Sequence, residues 1–314
     1  MRKNNLNLRN LSAKNKVFIA VIALWVCVSA LFTISGKWHD VYVLFRLRDN
    51  MNFASSESAS VHFIDVGQGD CALIITPEKT VLIDSGEREY SAAVINYLRA
   101  QSVTKLDYII VSHPHSDHIG STSFIIDEFG AEFIIMPRLK ESYVPTSSAF
   151  LRLLDSIENG GVEVIWAKPG MIFELSTDSK MEILAPLFEY DGINDNSVVV
   201  KFSHTAGSFL FTGDIEAVAE NDLVESEFDI SADVLKIAHH GSRTSSSARF
   251  INSVNGQYAI ICVGTPNSYN HPTEEVLDRL INRNYEIFRT DLHGSIVFDC
   301  TDDGFMIYVQ RGVK

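Results

Sequence analysis

Between Ser112 and Gly120 the chain reads SHPHSDHIG, placing three imidazoles and a carboxylate within six residues, directly after the apolar run LDYIIV. Neutral imidazole nitrogens and carboxylate oxygens suit zinc, manganese or iron, and no cysteine lies near enough to build a thiolate cage. A strand ending in such a turn projects alternate ligands into one cleft. On that geometry His113 and His115 hold one ion while Asp117 and His118 reach a second, so the segment reads as binuclear. A solvated histidine-rich loop is the plain alternative, and the spacing behind a buried strand speaks against it.

Other candidates are scattered. Asp214 ends the strand-like run FLFTG and is either a carboxylate ligand or an N-cap for the helical IEAVAEN. His239 and His240 follow VLKIA, where strand alternation sends adjacent side chains to opposite faces, so only one is expected to point at a metal. Asp65, Gln68, Gly69 and Asp70 form a glycine-punctuated turn, DVGQGD, which fits close backbone approach or a simple tight hairpin. Ser242, Arg243, Thr244 and Asn270 are candidate phosphate contacts, with N-capping as the bland role of the hydroxyls.

The elements that must position these residues read as two mixed sheets between helices. Strand-like VHFIDV, CALIIT and VLIDSG precede helical SAAVINYLRA, strand LDYIIV, the ligand turn, a short helix and strand FIIMP. Helical SSAFLRLLDSIENG stops at Gly160 and Gly161, followed by VEVIWA, MIFELS, MEILAP, SVVVKF and FLFTG as strands. Helical AVAENDLVES, strands VLKIAH and YAIICVG, helical TEEVLDRLINRN and a hairpin from SIVFDC to FMIYVQ complete the chain. No internal repeat is visible.

The spacing His-x-His-x-Asp-His at a strand end resembles the metallo-β-lactamase superfamily of hydrolases. HFIDVGQGDCALI (62–74), VLIDSG (81–86), NDNS (194–197), FTGD (211–214), LKIAHHGSRTSSS (235–247) and NHP (270–272) resemble, in order, the hydrolase domain of the ComEC/Rec2 DNA-internalisation proteins. The multi-span channel of full ComEC proteins has no counterpart in this sequence, which directs the expectation to hydrolysis rather than transport. The resemblance implies an α/β, four-layer αββα sandwich over residues 61–314 and two divalent ions, zinc or manganese. It assigns the metal to His113, His115, Asp117, His118, Asp214 and His240 (or His239), with Asp214 bridging both ions and Asp84 supporting the turn by hydrogen bonds. Many superfamily members carry a third histidine for the first ion where this chain has NDNS, so Asn194, Asn196 or Ser197 is expected to bind weakly or to hold a ligand water, and all three count as candidate substrate contacts. His204 is read as a surface histidine. Two ions sharing a water would lower its pKa towards 7, and Asp117 and Asp214 would orient the resulting hydroxide. His271 would contact substrate or protonate the leaving group.

Residues 17–35, VFIAVIALWVCVSALFTIS, form an apolar run long enough to cross a bilayer. Arg2, Lys3, Arg9, Lys14 and Lys16 precede it without an acidic residue, so residues 1–16 are expected in the cytoplasm and the catalytic domain outside. Cleavage as a signal peptide, with secretion, is the rival, and Val28-Ser29-Ala30 offers a passable site. Residues 36–60 read as a linker. Residues 1–50 hold 8 Lys or Arg against 2 Asp or Glu, and the remainder 18 against 38, a net −20. A field of that sign disfavours non-specific binding of a polyanion. Cys71, Cys262 and Cys300 lack paired spacing and read as buried thiols.

The resulting expectation is an outward-facing, metal-dependent phosphodiesterase or nuclease. An esterase of small or envelope phosphoesters, of phosphorylcholine type, is the alternative among enzymes, and a non-catalytic binding module the alternative of another class. No protein partner is implied.

Overall fold

Strand runs apolar on both faces need cover on both sides. The computed structural model describes residues 58–312 and provides that cover with two sheets packed face to face. Strands β1 (Ser60–Phe63), β2 (Ala72–Ile75) and β3 (Thr80–Ile83) form an antiparallel meander. Helix α1 (Ser91–Ala100) leads to β4 (Leu106–Ile110), which pairs parallel to β3. Helices α2 (Ser116–Ile119) and α3 (Thr122–Phe129) lead to β5 (Ala131–Met136), and α4 (Ser148–Gly160) leads to β6 (Glu163–Trp166), both strands again parallel.

The second sheet follows the same plan. Strands β7 (Ile172–Ser176), β8 (Ser179–Ala185), β9 (Val199–His204) and β10 (Gly207–Phe211) run antiparallel. Helices α5 (Ala217–Glu225), α6 (Ala248–Val254) and α7 (Glu274–Asn282) then alternate with the parallel strands β11 (Val234–Lys236), β12 (Tyr258–Ile261) and β13 (Glu286–Arg289). After the single turn α8 (Thr290–His293), β14 (Ile296–Thr301) and β15 (Gly304–Val309) return to the first sheet beside β1. Both sheets are therefore mixed, and the two halves share a plan that no sequence repeat betrays.

The core lies between the sheets. Phe63 stacks on Phe211 at 5.7 Å, and Phe209 meets Phe298 edge-on at 5.5 Å, joining the inner faces. Outside the second sheet, Leu210, Leu235 and Ile261 pack with Leu223, Phe250, Val254 and Leu280 of α5, α6 and α7. Outside the first sheet, His62 on β1 meets Tyr97 of α1. Cys71, Cys262 and Cys300 are buried free thiols.

Two elements escape the sequence pattern. Helix α6 is only seven residues long and starts in the SSS run that reads as loop; Ser247 caps it by accepting a bond from Phe250 N (3.2 Å). Strand β13 is four residues long at a sheet edge, where burial is partial and alternation faint. Gly160 lies inside α4, and the left-handed Gly161 (φ 64°) ends it. Among the described residues no helix is long and apolar enough to cross a membrane. The apolar run 17–35 and most of the expected linker lie outside the described residues.

The fold sets the site by strand direction. Asp84 follows β3, the His-rich turn follows β4, Asp214 follows β10 and the His pair follows β11, all beyond carboxyl ends of strands that run parallel within their sheet. Open α/β sheets place ligands at this edge because side chains from neighbouring strand ends converge there.

His62 gives the fold a measurable acid sensitivity. Its ring is fully buried, with Nε2 2.9 Å from Ser60 Oγ and Nδ1 2.9 Å from Tyr97 Oη, and burial pushes its pKa down to about 3. The unfolded chain takes up this proton below about pH 6.5, whereas the native ring resists until about pH 3, so the contribution is whole above 6.5 and fades as pH falls. His62→Gln cannot charge, and between pH 7 and pH 5 it should lose about 2 kcal/mol less stability than the native chain. Urea midpoints at the two pH values test this; equal losses would refute it.

Candidate metal centre

Asp84 anchors the ligand turn. Ser112 N and Oγ donate to Asp84 Oδ1 (2.8 Å) and Oδ2 (2.6 Å), and His118 Nδ1 donates to Oδ2 (2.8 Å). The carboxylate therefore fixes the His118 tautomer and leaves Nε2 facing inward, as an outer carboxylate does for a metal-bound imidazole. The supporting role expected for Asp84 is what these bonds perform.

Asp214 arrives from the second sheet. Its Oδ2 lies 3.3 Å from His118 Nε2, 3.7 Å from His240 Nε2, 3.8 Å from His113 Nε2 and 3.9 Å from His239 Nε2. It is no helix cap: α5 begins at Ala217, with Glu216 in the cap position. Gly213 makes the approach possible, since at φ 51° its Cβ would sit 2.8 Å from Ser112 Cβ and 2.9 Å from Ser197 Cβ.

Both members of the His pair enter the site. Strand β11 ends at Lys236, and His239 and His240 are consecutive left-handed residues (φ 51° and 54°), so strand alternation no longer applies to them. Both rings line the cleft, yet of the two only His240 belongs to a candidate cation-holding set, and these torsions rather than strand alternation set the difference. His240 is buried, donates from Nδ1 to Cys262 O (2.8 Å) and brings Nε2 to 3.3 Å from Asp117 Oδ2. His239 is partly exposed and pairs through Nδ1 with Glu216 Oε1 (3.3 Å). Such backbone conformations cost a non-glycine residue on the order of 1 kcal/mol or more and cluster at functional sites.

Asp70 and Lys236 complete the cluster. Asp70 comes from the DVGQGD turn, where its N donates to Asp117 O (3.1 Å). Gly69, at φ 141°, is required there, because a Cβ would lie 2.4 Å from that same carbonyl oxygen. Lys236 Nζ is buried against Asp70 Oδ2 and donates weakly to Gly213 O (3.4 Å). Nothing in the sequence motifs marks Lys236; its one signal is a charge inside the apolar strand VLKIA.

Among the described residues, four overlapping sets could hold a cation: His113, His118 and Asp214; Asp117, His118 and His240; Asp70, Asp214 and His240; Asp70, Asp84 and His118. The donor chemistry fits a divalent ion. Asp70 Oδ1, His118 Nε2, Asp214 Oδ1 and His240 Nε2 are all buried without a hydrogen-bond partner, an arrangement that is costly unless something electrophilic lies between them. The sets also cross the expected division, since His118 clusters with His113 as well as with Asp117. His115 stands beside them, its Nδ1 2.9 Å from His113 Nε2.

The electrostatics follow from four carboxylates in one buried place. Burial alone would lower His118 and His240, but Asp214 with Asp84 holds the first well above its usual range, and Asp214 with Asp70 raises the second to about 10. Burial would raise Asp214, yet His118 and His240 bring it well below the ordinary carboxylate value. His113 is driven well below its usual range, first by burial and then by the His118 charge. Burial and then His239 lower His271 to about 4, so its ring is neutral at pH 7.

The remaining candidates divide. An open cleft of about 330 Å³ lies over the cluster, and His115, Asp117, Asp214, His239, His240 and His271 line it together with Gln68, Ser116 and Tyr269. The expected substrate contacts are not among the residues that line this cleft. Asn196 spends its amide on Tyr190 N, Tyr190 O and Gly192 O, stapling its own loop. Ser197 is fully buried and accepts from Asp214 N (3.2 Å) while lying 3.3 Å from His113 Nδ1, so it positions these two groups and is closed to substrate. Asn194 reaches toward Glu216 (3.4 Å). Ser242 and Thr244 bond each other (3.0 Å), and Thr244 also donates to Glu216 Oε1 (3.0 Å). Arg243 and Asn270 are exposed beside the cleft without lining it. His204 is not the surface side chain expected: only 6% of it is exposed, and its Nε2 lies 3.2 Å from Asp178 Oδ2 at the far end of β9.

A His-x-His-x-Asp-His turn facing an aspartate and a histidine pair across two mixed sheets defines a metallohydrolase class. The metallo-beta-lactamase superfamily profile matches residues 64–265, and the chain belongs to that superfamily. Within it, the chain is 29% identical to ComE operon protein 3 of Bacillus subtilis over 77% of this chain and 33% of that protein. It is 30% identical to competence protein ComA of Neisseria gonorrhoeae over 76% of this chain and 32% of that one. Recombination protein 2 of Haemophilus influenzae is 28% identical over 82% and 31%. The chain thus spans about a third of the length of these curated relatives. Among solved structures, a variant of the CmlA beta-hydroxylase is similar with a TM-score of 0.53 at 11% identity, over 77% of this chain and 54% of that one, a likeness of fold alone.

Two outcomes are expected. Asp84→Asn removes the acceptor that orients His118 and should weaken zinc or manganese binding about 10- to 100-fold in chelator competition; unchanged affinity would refute the orienting role. Lys236→Met strands the Asp70 charge and should cost about 3–5 kcal/mol, most of it recovered in Lys236→Met/Asp70→Asn. Additive losses in thermal or urea unfolding would argue against the pair.

Proposed function

We propose that this superfamily hydrolase cleaves phosphodiesters, with nucleic-acid strands as its substrate, using two divalent ions, zinc or manganese. The observation that carries the reading is Asp214 Oδ2 within 4 Å of four imidazole nitrogens at the floor of an open cleft. His113, His115, Asp117, His118, Asp214 and His240 would hold the ions, and His239 and Asp70 are supplementary donors of the right type. When bound, such ions supply Lewis acidity: they acidify water and offset charge growing on phosphoryl oxygens.

The chain's own residues do the rest. Asp117, partly open to the cleft, and Asp214, closed beneath it, would orient the attacking water by accepting hydrogen bonds from it. His271 sits in the cleft wall, where its ring can offer an N–H to a phosphoryl oxygen. Its low pKa makes it a neutral hydrogen-bond partner at pH 7 rather than a charged acid. The likeness to competence and recombination proteins supports nucleic acid as substrate. The net −20 of residues 51–314 favours the second reading, an esterase of small or envelope phosphoesters. Residues 17–35 serve as membrane anchor or cleaved signal peptide, supported by the apolar run and its basic flank; mass spectrometry of the mature N-terminus distinguishes them.

The test is metal-dependent turnover of bis-p-nitrophenyl phosphate and single-stranded DNA. Both should be cleaved with manganese or zinc and neither in EDTA. Asp214→Ala should lose more than about 100-fold, since a ligand should matter at least as much as its outer partners. Failure of both substrates with either metal would end the reading.

A further inference from the structure

The wall of the cleft carries one large aromatic ring that the hydrolytic reading leaves unused. Tyr269 is 64% exposed, yet it lines the cleft together with Asp117 and Asp214. One face of its ring stacks on His271 (centroids 5.7 Å apart, 26° between planes). His271 in turn meets His239 (5.8 Å), whose Nε2 is 3.9 Å from Asp214. The rings form a line from the rim of the cleft to its centre, and the outermost keeps a free face.

The loop that holds Tyr269 is stapled. Asn267 donates from Nδ2 to Gly264 O (2.7 Å) and His271 O (2.9 Å), and His271 N donates to Asn267 Oδ1 (3.0 Å). Gly264 N reaches Gln68 on the opposite wall (3.3 Å). A ring displayed in a set orientation loses little freedom on contact, which favours affinity. The lining of the cleft also contains neither Lys nor Arg, and the domain is acidic. Affinity for the non-reacting part of a polyanion must then come from something other than ion pairs.

We propose that Tyr269 is a stacking platform for a nucleobase, seating the nucleotide next to the scissile phosphate and selecting single-stranded nucleic acid over base-free phosphodiesters. This rests on the phosphodiesterase reading above. A base in a single strand presents a π-face irrespective of sequence, and a flat ring with one open face matches it. A choline headgroup is the competing ligand for an aromatic residue, but its recognition calls for a cage of several rings around the cation. Here His271 already covers the second face of Tyr269, so a single flat contact remains.

The experiment uses the full chain with two labelled 12-mers of equal charge, oligo(dT) and an all-abasic strand. Binding is measured by anisotropy in EDTA, where no strand is cut, in one buffer of low and one of physiological ionic strength. The native chain should prefer oligo(dT), and Tyr269→Ala should reduce that preference about 5- to 150-fold, the range of one base–aromatic stack. Tyr269→Phe and Tyr269→Trp should keep it, because the ring and not the phenol makes the contact. An unaltered preference in Tyr269→Ala, loss in Tyr269→Phe equal to that in Tyr269→Ala, or no measurable oligo(dT) binding in either buffer would overturn the proposal. So would a Tyr269→Ala defect confined to p-nitrophenylphosphorylcholine. If phosphodiester cleavage fails altogether, the hydrolytic reading falls, while the EDTA ratio still judges the stacking.

Discussion

Four carboxylates, Asp70, Asp84, Asp117 and Asp214, share one largely buried place with His113, His118 and His240, and one ammonium, Lys236, cannot neutralise them. Like charges desolvated together repel strongly, and burial disfavours each of them further. The cluster is tolerable because each acid has been given something positive or polar to face. Asp84 is satisfied by Ser112 and His118, Asp70 by Lys236, and Asp214 and Asp117 by imidazolium rings that hold their protons unusually firmly. Divalent ions are the natural replacement for those protons, which is why ligand deprotonation and metal binding are coupled in such sites.

Most of the architecture can be understood as the means of bringing these acids together at the floor of one cleft. Each sheet contributes strand ends from its parallel half, so two independent backbones present their functional groups to one gap. The closeness of the gap is visible in Gly213 and Gly69, where an added methyl group would overlap Ser112, Ser197 or the Asp117 carbonyl. Ser197 bridges the halves by accepting from Asp214 N beside His113. Its hydroxyl occupies a place from which it orders ligands, and that accounts for its complete burial.

How much of this could be read in the sequence depended on whether the information was local. The His-rich turn is contiguous, so ligand types and strand context stood side by side, and the apolar runs around it identified two mixed sheets. Asp84 and Asp214 were recognisable through short motifs at strand ends. Lys236 was hidden because a lone charge near a strand end ordinarily turns to solvent, and only the distant Asp70 explains its burial. The orientation of His239 and His240 was inaccessible to alternation because it depends on two left-handed torsions beyond the strand. Asn196 and Ser197 were misleading in another way: their polarity serves loop and ligand geometry, a role indistinguishable by residue type from substrate contact. Helix α6 and strand β13 are simply too short for periodicity to rise above composition.

The charge of the domain bears on how a strand could reach such a centre. At an ionic strength of 0.15 M the field of exposed acids is screened within about 8 Å, so it repels a polyanion at the approach but loses force inside the cleft. Within the cleft the lining is imidazole, amide, hydroxyl and phenol apart from Asp117 and Asp214, the two acids that an ion would neutralise. An enzyme built this way gains little from non-specific electrostatic attraction and has correspondingly weak hold on duplex phosphates. Under the proposed reading, selection would fall to contacts that a flexible, unpaired strand can make and a stiff duplex cannot: close entry of one phosphate to Asp214 and a base free to leave its neighbours. If the proposed phosphodiesterase reading holds, the acidic surface and the exposed ring of Tyr269 in the cleft wall belong to one recognition strategy, in which repulsion would remove casual binders and local geometry would retain the strand to be cut.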